Sequence, residues 1–260
     1  MSLDQFYTKP EVAAKCFMTL ADRECDLWLE PCAGMGSFYS LFPEDKRLGY
    51  DLEPRYDGVI EQDFLKVVLP KDTNIIVATN PPFGYRAQGA IEFFNKAAEA
   101  ANIIGMIVPR SFRKAYIINQ LNTYYHLTHE DILALGIFDG GADKIRTVWQ
   151  IWERREVKRD KIVLPSTHPD FTIVPQGKGF DRNKADIAIR RTGYKSVGEV
   201  IDPEDANPIT QFIFISIENE DAIDIFESMD LSCAFDTALA PTVTQGEIIR
   251  AYITSKGEVL

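Results

Sequence analysis

The sequence predicts an α/β fold in which helices cover both faces of a parallel sheet, with a small mixed lobe after it. Short apolar, β-branched runs alternate with helical patterns in the first part of the chain. Several of these runs stop at a turn that contains glycine, proline or an acidic residue. With 260 residues, 45% of them hydrophobic, the chain can supply the core of one such domain and a modest extension.

The elements of the sheet domain follow from the apolar runs. At residues 8–11 a T-x-x-E pattern indicates a capping box that begins the first helix. The predicted strands are residues 27–29, 47–50, 58–60, 74–79 and 103–108, and residues 132–138 and 147–152 are expected to be the last pair. A second helix is expected after a glycine-bearing turn at residues 30–38, and a third over residues 87–101.

The residue pattern changes after Lys161, where prolines and glycines separate short segments that resemble strands. These segments are residues 171–174, 187–189 and 211–217, followed by helical patterns at 221–229 and after a second capping box at 244–247. We therefore expect a main domain over residues 1–165 and a C-terminal lobe over residues 166–260. The lobe could recognise a substrate or complete the main sheet.

Nothing in the composition indicates export, membrane insertion or a metal site. No run of about 18 apolar residues occurs, so we expect a soluble, cytoplasmic protein without membrane contact. The four cysteines form no C-x-x-C pair, so reduced thiols are expected, with Cys25 and Cys32 in the core. His126 and His129 could share one face of a helix, but no further ligand at suitable spacing completes a metal site.

The net charge of −11 argues against a protein that coats nucleic acid, because the phosphate backbone favours positive surfaces. The acidic excess lies after residue 198, where thirteen acidic residues stand against two basic ones. Residues 144–161 and 176–195 are locally basic and hold thirteen Lys and Arg residues. Such segments can be ordinary solvated faces. Alternatively, they form the surface where a nucleic acid docks, and the acidic part faces away or binds a protein partner.

Three predicted strand ends carry residues that suit a nucleoside. Gly34 and Gly36 follow the first strand and would let a ligand approach the backbone closely. Asp51 ends the second strand, where its carboxylate can accept from two ribose hydroxyls. Asp63, with Phe64 beside it, follows the third strand and could accept from an adenine amino group. Each acid alone could be a strand-end cap, but three such ends at one sheet edge predict a nucleoside site.

Two further segments resemble a known family. The tetrad Asn80, Pro81, Pro82 and Phe83 follows a predicted strand and resembles the catalytic [DNS]-P-P-[YFW] tetrad of Rossmann-like, S-adenosylmethionine-dependent amino-methyltransferases. Residues 4–8, Asp-Gln-Phe-Tyr-Thr, are similar to the Q-F-[FY]-T motif that precedes the glycine turn in N6-adenine DNA methyltransferases of the gamma arrangement. The resemblance covers roughly residues 4–152. It implies a Rossmann-like methyltransferase sheet and S-adenosylmethionine as the cofactor.

The resemblance also assigns cofactor contacts. It implies that Tyr7, Thr8, Glu30 and Gly34 hold the methionine end of the cofactor, with Pro31 next to Glu30 in the same turn. It gives Asp51 the ribose, and Asp63 and Phe64 the adenine. Glu30 stands where many relatives have Asp, a departure that leaves its contact to be established.

The tetrad suits methylation of an exocyclic amine. The lone pair of such an amine is delocalised into its ring, so a catalyst must localise the pair and aim it at the methyl group. The side-chain oxygen of Asn80 and the carbonyl of Pro81 can each accept one amino hydrogen, and the prolines stiffen the two acceptors. Phe83 is expected to offer a ring on which the extracted base stacks.

Other residues are candidates for substrate contacts. Arg110 and Arg113 follow the predicted fifth strand and could touch phosphate, and Trp149 could face the base although a core position is favoured for both Trp149 and Trp152. Within the first basic segment, the expected contacts are Arg146, Arg154, Arg155 and Lys158.

Four functions are compatible with these residues. The first is methylation of adenine N6 in DNA, with the base taken from a duplex or a single strand. The second is the same reaction on RNA, and the third is methylation of a glutamine amide in a protein, which the acidic charge would suit. The fourth is a non-catalytic nucleotide-binding or partner subunit, which the intact tetrad and glycine turn disfavour. The sequence favours the DNA enzyme.

Overall fold

The computed structural model describes residues 6–140 and 143–259. The chain divides into two compact units, Met1–Ile162 and Val163–Leu260. Within the described ranges, no helix is long and apolar enough to cross a membrane. Asp4 and Gln5 of the Asp-Gln-Phe-Tyr-Thr segment lie outside the described residues.

The first unit contains nine described strands and three α-helices. The strands are β1 (Tyr7–Thr8), β2 (Leu27–Glu30), β3 (Arg47–Asp51), β4 (Ile60–Glu61), β5 (Ile75–Thr79), β6 (Ile103–Pro109), β7 (Tyr125–Ile132), β8 (Phe138–Asp139) and β9 (Thr147–Arg154). The helices are α1 (Pro10–Met18), α2 (Gln88–Ala97) and α3 (Ala115–Ile118).

Seven of these strands form a Rossmann-like sheet in the order β4-β3-β2-β5-β6-β9-β7. The first five are parallel, and β9 runs antiparallel to both β6 and β7. The first strand of this sheet along the chain is β2. Strands β3 and β4 follow on one side of β2, and β5 lies on its other side. Ligands bind in such sheets where the strand order reverses, beyond the carboxyl ends of the strands. We call that side of the sheet the carboxyl edge and the opposite side the amino edge.

Helices cover both faces of this sheet, as the sequence predicts. On one face, Ile91 and Phe94 of α2 belong to a buried cluster that contains Trp152. On the other face, Ala13 of α1 belongs to a second cluster that contains Trp149. The two tryptophans are three residues apart on β9 and therefore lie on opposite faces, as expected for a strand.

Three local predictions were wrong. Thr8 belongs to β1 instead of capping α1, whose N-cap is Lys9 without a side-chain hydrogen bond and whose first residue is Pro10. The glycine turn leads into a short 3₁₀ turn at Tyr39–Leu41, not an α-helix, because Pro43 follows at once. The strand predicted at residues 132–138 is instead β7, which ends at Ile132, is rich in polar residues and lies at the border of the sheet.

A small antiparallel pair ties the N-terminal segment to the carboxyl edge. β1 pairs with β8, so that Tyr7 lies opposite Asp139 and Thr8 opposite Phe138. Lys9 continues the ladder, since its backbone NH donates to the carbonyl of Ile137 at 3.0 Å. β8 lies between β7 and β9 along the chain, in the connection that returns at the carboxyl edge.

The second unit has its own sheet and core. Its strands are β10 (Phe171–Ile173), β11 (Ile187–Arg190), β12 (Val200–Ile201) and β13 (Phe212–Ile217), and its helices are α4 (Ala222–Ser228) and α5 (Gln245–Ser255). The strands form a separate antiparallel sheet in the order β10-β13-β11-β12 and do not extend the main sheet. Thr244 and Glu247 form the predicted capping box at the start of α5.

A charged cluster fixes the end of α5 in this unit. The Asp170 carboxylate accepts from the hydroxyl of Tyr252 at 2.6 Å and from the ammonium of Lys256 at 2.7 Å. Hydrogen bonds from Lys256 and Tyr252 lower the pKa of Asp170 to about 2. His168 stacks on Phe171 beside this carboxylate and contacts Glu258 at 3.0 Å. The cluster therefore joins α5 to the start of β10.

Candidate active site

A cavity of about 300 Å³ opens at the carboxyl edge beside the point where the strand order reverses. That volume is at the lower end of the range for small-molecule sites. Its walls include eight residues that the sequence predicts as site residues: Tyr7, Pro31, Gly34, Asp51, Asp63, Asn80, Pro81 and Pro82. Phe64, also predicted, lines the same cavity. The fold thus brings the ends of β2, β3, β4 and β5 to one place.

A larger open cleft of about 740 Å³ lies at the amino edge. Its walls include Cys25, Lys46 and Asn74, which precede or lie close to the starts of the parallel strands. Two of its polar side chains are already bonded, since Lys46 donates to the carbonyl of Cys25 and Asn74 to that of Glu24. The smaller cavity at the carboxyl edge is therefore the better candidate for a functional site.

The glycine turn is locked to the end of β3. Gly34 has φ +50°, and its backbone NH donates to the Asp51 carboxylate at 2.7 Å. A Cβ atom at Gly34 would lie 3.1 Å from the ring of Tyr7, so the glycine allows this ring to approach the turn. The other oxygen of Asp51 accepts from the NH of Glu53 at 2.8 Å. Each carboxylate oxygen keeps a lone pair for a further donor.

Gly36 has a different role from the expected cofactor contact. A Cβ atom there would lie 2.3 Å from the ring of Tyr56, and Gly36 does not line the cavity. With φ +80°, this glycine makes room for Tyr56 and completes the turn. It is a packing residue of the turn.

A smaller pocket of about 30 Å³ adjoins the cavity and shares Tyr7, Cys32, Gly34 and Asn80 with it. It also contains Thr8 and Glu30. Three buried atoms around it have no hydrogen-bond partner among the described residues: Thr8 Oγ1, Glu30 Oε2 and Asn80 Oδ1. Buried polar atoms without partners are uncommon and costly in native proteins. Two of the three are pure acceptors, so a bound ammonium group would satisfy this set.

Glu30 is the strongest electrostatic feature of the small pocket. Its side chain is 2% exposed, and burial raises the pKa of this carboxyl well above its usual range, with a further increase from the nearby Asp51. A hydrogen bond from the backbone NH of Tyr39 opposes the shift. A cation bound at Oε2 would favour the ionised carboxylate, so ligand binding and the charge of Glu30 are coupled.

Asn80 is held by the N-terminal segment. Its side-chain nitrogen donates to the carbonyl oxygen of Phe6 at 2.6 Å. This bond fixes the orientation of the amide, so that the nitrogen faces Phe6 and Oδ1 is left without a partner. The free oxygen is the acceptor that the tetrad chemistry requires.

Cys32 was wrongly predicted to be a core filler, since it lines both the cavity and the small pocket. Its thiol donates to the backbone carbonyl of Asn80 at 3.2 Å and lies 3.1 Å from the hydroxyl of Thr79. Burial raises the pKa of the Cys32 thiol well above its usual range, and the nearby Glu30 adds to the increase. The thiol therefore stays protonated at neutral pH and acts as a hydrogen-bond donor to the tetrad.

The far end of the cavity has an acid and an aromatic ring. Asp63 caps a 3₁₀ turn by accepting from the NH of Leu65 at 3.0 Å, and its other oxygen lies 3.1 Å from Lys66. Phe64 is 1% exposed and packs on Phe93 of α2, with 5.6 Å between ring centroids. Asp63 thus has the capping function that was the alternative to a nucleoside contact, and it lines the cavity as well.

The ring of Phe83 does not face the cavity, although the sequence suggested that a base would stack on it. Phe83 is 5% exposed, and its ring lies 5.6 Å from that of Phe6 and 6.0 Å from that of Phe138. It packs in the apolar cluster on the α1 side of the sheet. The ring anchors the end of the tetrad, whose first three residues line the cavity.

The expected basic contacts separate into two groups. Arg110 follows β6 at the carboxyl edge, where its backbone NH donates to the carbonyl of Arg146 at 3.0 Å. The Nε of Arg110 is buried without a hydrogen-bond partner among the described residues. Arg113, three residues later, pairs with Glu130 at 2.9 Å. Arg110 therefore has a guanidinium nitrogen without a partner within the described ranges.

The other expected contacts, Arg154, Arg155 and Lys158, are exposed but lie at the amino edge. The backbone NH of Arg154 donates to the carbonyl of Asn102, which precedes β6. Because β9 runs antiparallel to β6, its start lies at the carboxyl edge and its end lies about 23 Å away along the strand. These three residues therefore lie at the opposite edge of the sheet from the tetrad, which argues against a substrate contact there.

Burial and strand geometry decide two further expectations. Trp149 is fully buried, stacks on Phe38 at 5.7 Å and donates from its indole nitrogen to Thr19, so it has the core position that the sequence favours and does not face a base. His126 and His129 lie on strand β7 and not on a helix. In residues 6–140 and 143–259, no three His, Cys, Asp or Glu side chains come close enough to hold a metal ion.

Several residues of the cavity wall were missed as site residues. They are Phe6, Cys32, Leu52, Gln62, Leu65 and Phe93. Most of them directly adjoin a predicted site residue in the sequence, which was the available signal. Phe93 had no such signal, because its position depends on how α2 packs over the sheet.

The sequence matches no known family model, and no curated protein matches it. Solved structures are similar in part. A candidate RNA methyltransferase from Pyrococcus horikoshii is 19% identical, with a TM-score of 0.46 over 58% of this chain and 87% of that one. A candidate class I S-adenosylmethionine-dependent methyltransferase from Listeria monocytogenes is 14% identical, with a TM-score of 0.47 over 63% and 66% of the two chains.

The M protein of the type I restriction enzyme EcoKI is also similar. It is 19% identical, with a TM-score of 0.47 over 61% of this chain, and the matched part spans 46% of that protein. At these identities and scores, none of the three transfers an activity to this chain. The fold is defined by the chain's own strand order.

Proposed function

We propose that this protein is an S-adenosylmethionine-dependent methyltransferase that acts on the exocyclic N6 amino group of adenine in nucleic acid, with DNA as the first candidate. The observation that carries the proposal is the side-chain oxygen of Asn80. It is buried, has no partner among the described residues and is oriented by the bond to Phe6. Pro81 and Pro82 follow it in the cavity wall.

The residues of the cavity fit the proposed cofactor. The unpartnered oxygens of Glu30 and Thr8 suit the ammonium of its methionine part. Asp51, whose oxygens can each accept another donor, suits the ribose hydroxyls. Asp63 and Phe64 suit the adenine, as an acceptor and an apolar wall. Two pockets that share their central residues give room for both ends of one ligand.

The chemistry at the tetrad is positioning and electrostatic stabilisation. When bound, S-adenosylmethionine supplies the electrophilic methyl group. Asn80 Oδ1 and the carbonyl oxygen of Pro81 each accept one hydrogen of the adenine amine, which favours a tetrahedral nitrogen with a localised lone pair. The hydrogen bond from Cys32 to the Asn80 carbonyl holds the start of the tetrad against the turn that follows β2. Methylation makes the amine acidic, so its proton can pass to water and no side chain needs to act as a base.

Nucleic acid is favoured over protein as the substrate by Arg110. Arg110 is partly exposed at the carboxyl edge and makes no ion pair with another described residue, so its guanidinium can pair with a phosphate there. A glutamine side chain in a protein substrate carries no such anion. RNA has the same phosphate and remains the second candidate.

The proposal is tested by supplying tritium-labelled S-adenosylmethionine with, in parallel, duplex DNA, single-stranded DNA, total RNA and a protein extract. The labelled polymer is digested to nucleosides or amino acids and separated. The expected product is N6-methyladenosine in its deoxy form, formed by the wild type and not by the Asn80→Ala variant. Label found only in the ribonucleoside would show that the substrate is RNA instead of DNA. Label in glutamine would contradict the nucleic-acid proposal.

A further inference from the structure

The turn after the tetrad exposes an aromatic side chain. Tyr85 is 80% exposed, whereas Phe83 two residues earlier is 5% exposed and packed on Phe6 and Phe138. An exposed ring in this position is available for contact with a ligand at the carboxyl edge. The buried ring of Phe83, within the tetrad, is not available for such a contact.

The position of this turn is fixed by its backbone. Gly84 has φ +68° and ψ 177°, a conformation that is accessible essentially to glycine, and a Cβ atom there would lie 2.9 Å from the nitrogen of Gly89. The carbonyl of Phe83 accepts from the NH groups of Gly89 and Ala90 at the start of α2, at 3.1 and 3.4 Å. Tyr85 is therefore presented from a turn anchored at both ends.

The turn also stores backbone strain. Arg86 and Ala87 have φ +53° and +63°, in the left-handed region that is unfavourable for a non-glycine residue. Strain of this kind is concentrated at functional sites, where the surrounding structure enforces it. Two strained residues in succession, three and four positions after Phe83, mark this turn as a candidate functional segment.

Arg86 contributes a charge to the exposed ring. Its guanidinium lies 5.1 Å from the centroid of the Tyr85 ring. Arg86 is exposed and makes no ion pair with another described residue. An aromatic ring with an arginine beside it is the combination on which proteins stack unpaired bases while pairing with the adjoining phosphate.

We propose that Tyr85 and Arg86 form a stacking platform for a base of the substrate strand beside the methylated one, with Tyr85 on the base and Arg86 on its phosphate. Tyr85 lies five positions after Asn80, so the two Cα atoms are at most about 18 Å apart. That distance covers the target nucleotide and its near neighbours. The platform rests on the proposed function, because it requires a nucleic-acid substrate.

The test is the fluorescence of a single-stranded oligodeoxyadenylate that contains one 2-aminopurine, titrated with protein in the presence of S-adenosylhomocysteine. Stacking on Tyr85 quenches the probe, and the Tyr85→Phe variant is expected to quench it as well as wild type does. Tyr85→Leu is expected to lose the quenching and to bind about 5- to 150-fold more weakly. Arg86→Ala is expected to retain quenching but to lower the salt dependence of binding.

The matched control is Tyr124→Leu. Tyr124 is also an exposed tyrosine with a cation beside it, since Lys158 lies 5.2 Å from its ring centroid, but it lies at the amino edge. This variant is expected to quench and bind like wild type. Equal loss in both variants would mean that any exposed tyrosine contributes, and the platform would be refuted.

The outcomes separate the platform from the proposed function, which the tritium assay tests independently. Adenine methylation by wild type together with unchanged quenching by Tyr85→Leu refutes the platform alone. Quenching that depends on Tyr85, in a protein that methylates no nucleic acid, supports the platform and refutes the function. A wild-type protein that binds no oligonucleotide at all refutes both.

Discussion

The side chain of Asn80 donates a 2.6 Å hydrogen bond to the carbonyl oxygen of Phe6, across 74 residues of sequence. This bond joins the two segments that resemble methyltransferase motifs. It leaves the oxygen of the amide as a buried acceptor without a partner among the described residues. The N-terminal segment therefore orients the proposed catalytic group in addition to lining the cofactor pocket.

Replacing Asn80 by alanine is expected to lower turnover by about a hundredfold or more, because loss of one transition-state acceptor costs about 3–4 kcal/mol. Cofactor affinity is expected to stay near that of wild type. Asn80→Asp keeps an acceptor but places a carboxylate against the Phe6 carbonyl, so it is expected to displace the segment before Tyr7 and weaken cofactor binding too. Label incorporation and calorimetry measure the two effects. An Asn80→Ala protein with more than half of wild-type turnover would rule out the tetrad mechanism.

Asp51 is expected to contribute to cofactor affinity through the ribose hydroxyls. Asp51→Ala is expected to weaken S-adenosylhomocysteine binding by about tenfold or more, since hydrogen bonds to charged groups contribute roughly 1.5–3 kcal/mol. Asp51→Asn is the control, because it keeps an oxygen for the Gly34 NH while removing the charge. Calorimetry measures both affinities. An unchanged affinity in Asp51→Ala would show that the ribose assignment is incorrect.

Glu30 is expected to couple pH, stability and cofactor binding. Because its pKa is raised in the fold, the folded protein holds more protons than the unfolded chain between the two pKa values. The cofactor-free protein therefore loses stability as pH rises through that interval, while binding of an ammonium group to the ionised carboxylate tightens.

Glu30→Gln is expected to remove both pH dependences, to raise the melting temperature of the cofactor-free protein at neutral pH, and to weaken cofactor binding. Thermal denaturation across pH, with and without S-adenosylhomocysteine, measures these effects. Identical pH profiles in wild type and Glu30→Gln would contradict the assignment of Glu30 to the cofactor ammonium.

Arg110 is expected to pair with a substrate phosphate. Arg110→Ala is expected to lower the slope of log affinity against log salt concentration by about 0.7–0.9 in a nucleic-acid titration. A variant with Arg154, Arg155 and Lys158 all changed to alanine is expected to leave the slope unchanged, because these residues lie at the amino edge. The reverse result would place the substrate on the amino edge and remove Arg110 from the interface.

Asp170 is expected to stabilise the second unit at neutral pH. The pKa of Asp170, about 2, lies below the usual value for this carboxyl in an unfolded chain. Its ionised carboxylate therefore stabilises the fold at pH values above that usual pKa, and this stabilisation is lost as pH falls toward 2. Asp170→Asn is expected to cost about 1.5–3 kcal/mol at neutral pH, with the difference from wild type disappearing in acid. Hydrogen exchange of α5 amides measures this locally. Equal protection in both proteins at neutral pH would contradict it.

The sequence was sufficient to predict much of the sheet, because the information was local. The run before Asn80 is β-branched and apolar and stops at two prolines, so both the strand and its end could be identified. The acids after β3 and β4 were assigned to the same edge as Asn80 because parallel strands end together. The fold does bring these residues to one cavity.

The wrong predictions depended on packing and strand direction, which the residue pattern does not contain. Nothing near Arg154 indicates that β9 runs antiparallel, and that direction alone moves the residue to the amino edge. Phe83 resembles a stacking residue in its tetrad, yet Phe6 and Phe138, distant in sequence, cover its ring. Cys32 has no local feature that distinguishes a cavity thiol from a core thiol.

The pairing of β1 with β8 also determines when the cofactor pocket can be completed during synthesis. Tyr7 and Thr8 leave the ribosome early, but Lys9 reaches its partner Gly136 only 127 residues later. Until the connection between β7 and β9 has emerged, the first segment has no strand to pair with, and the small pocket lacks one wall. A nascent chain that already contains β2, β3 and β5 therefore lacks the wall of the small pocket that Tyr7 and Thr8 supply.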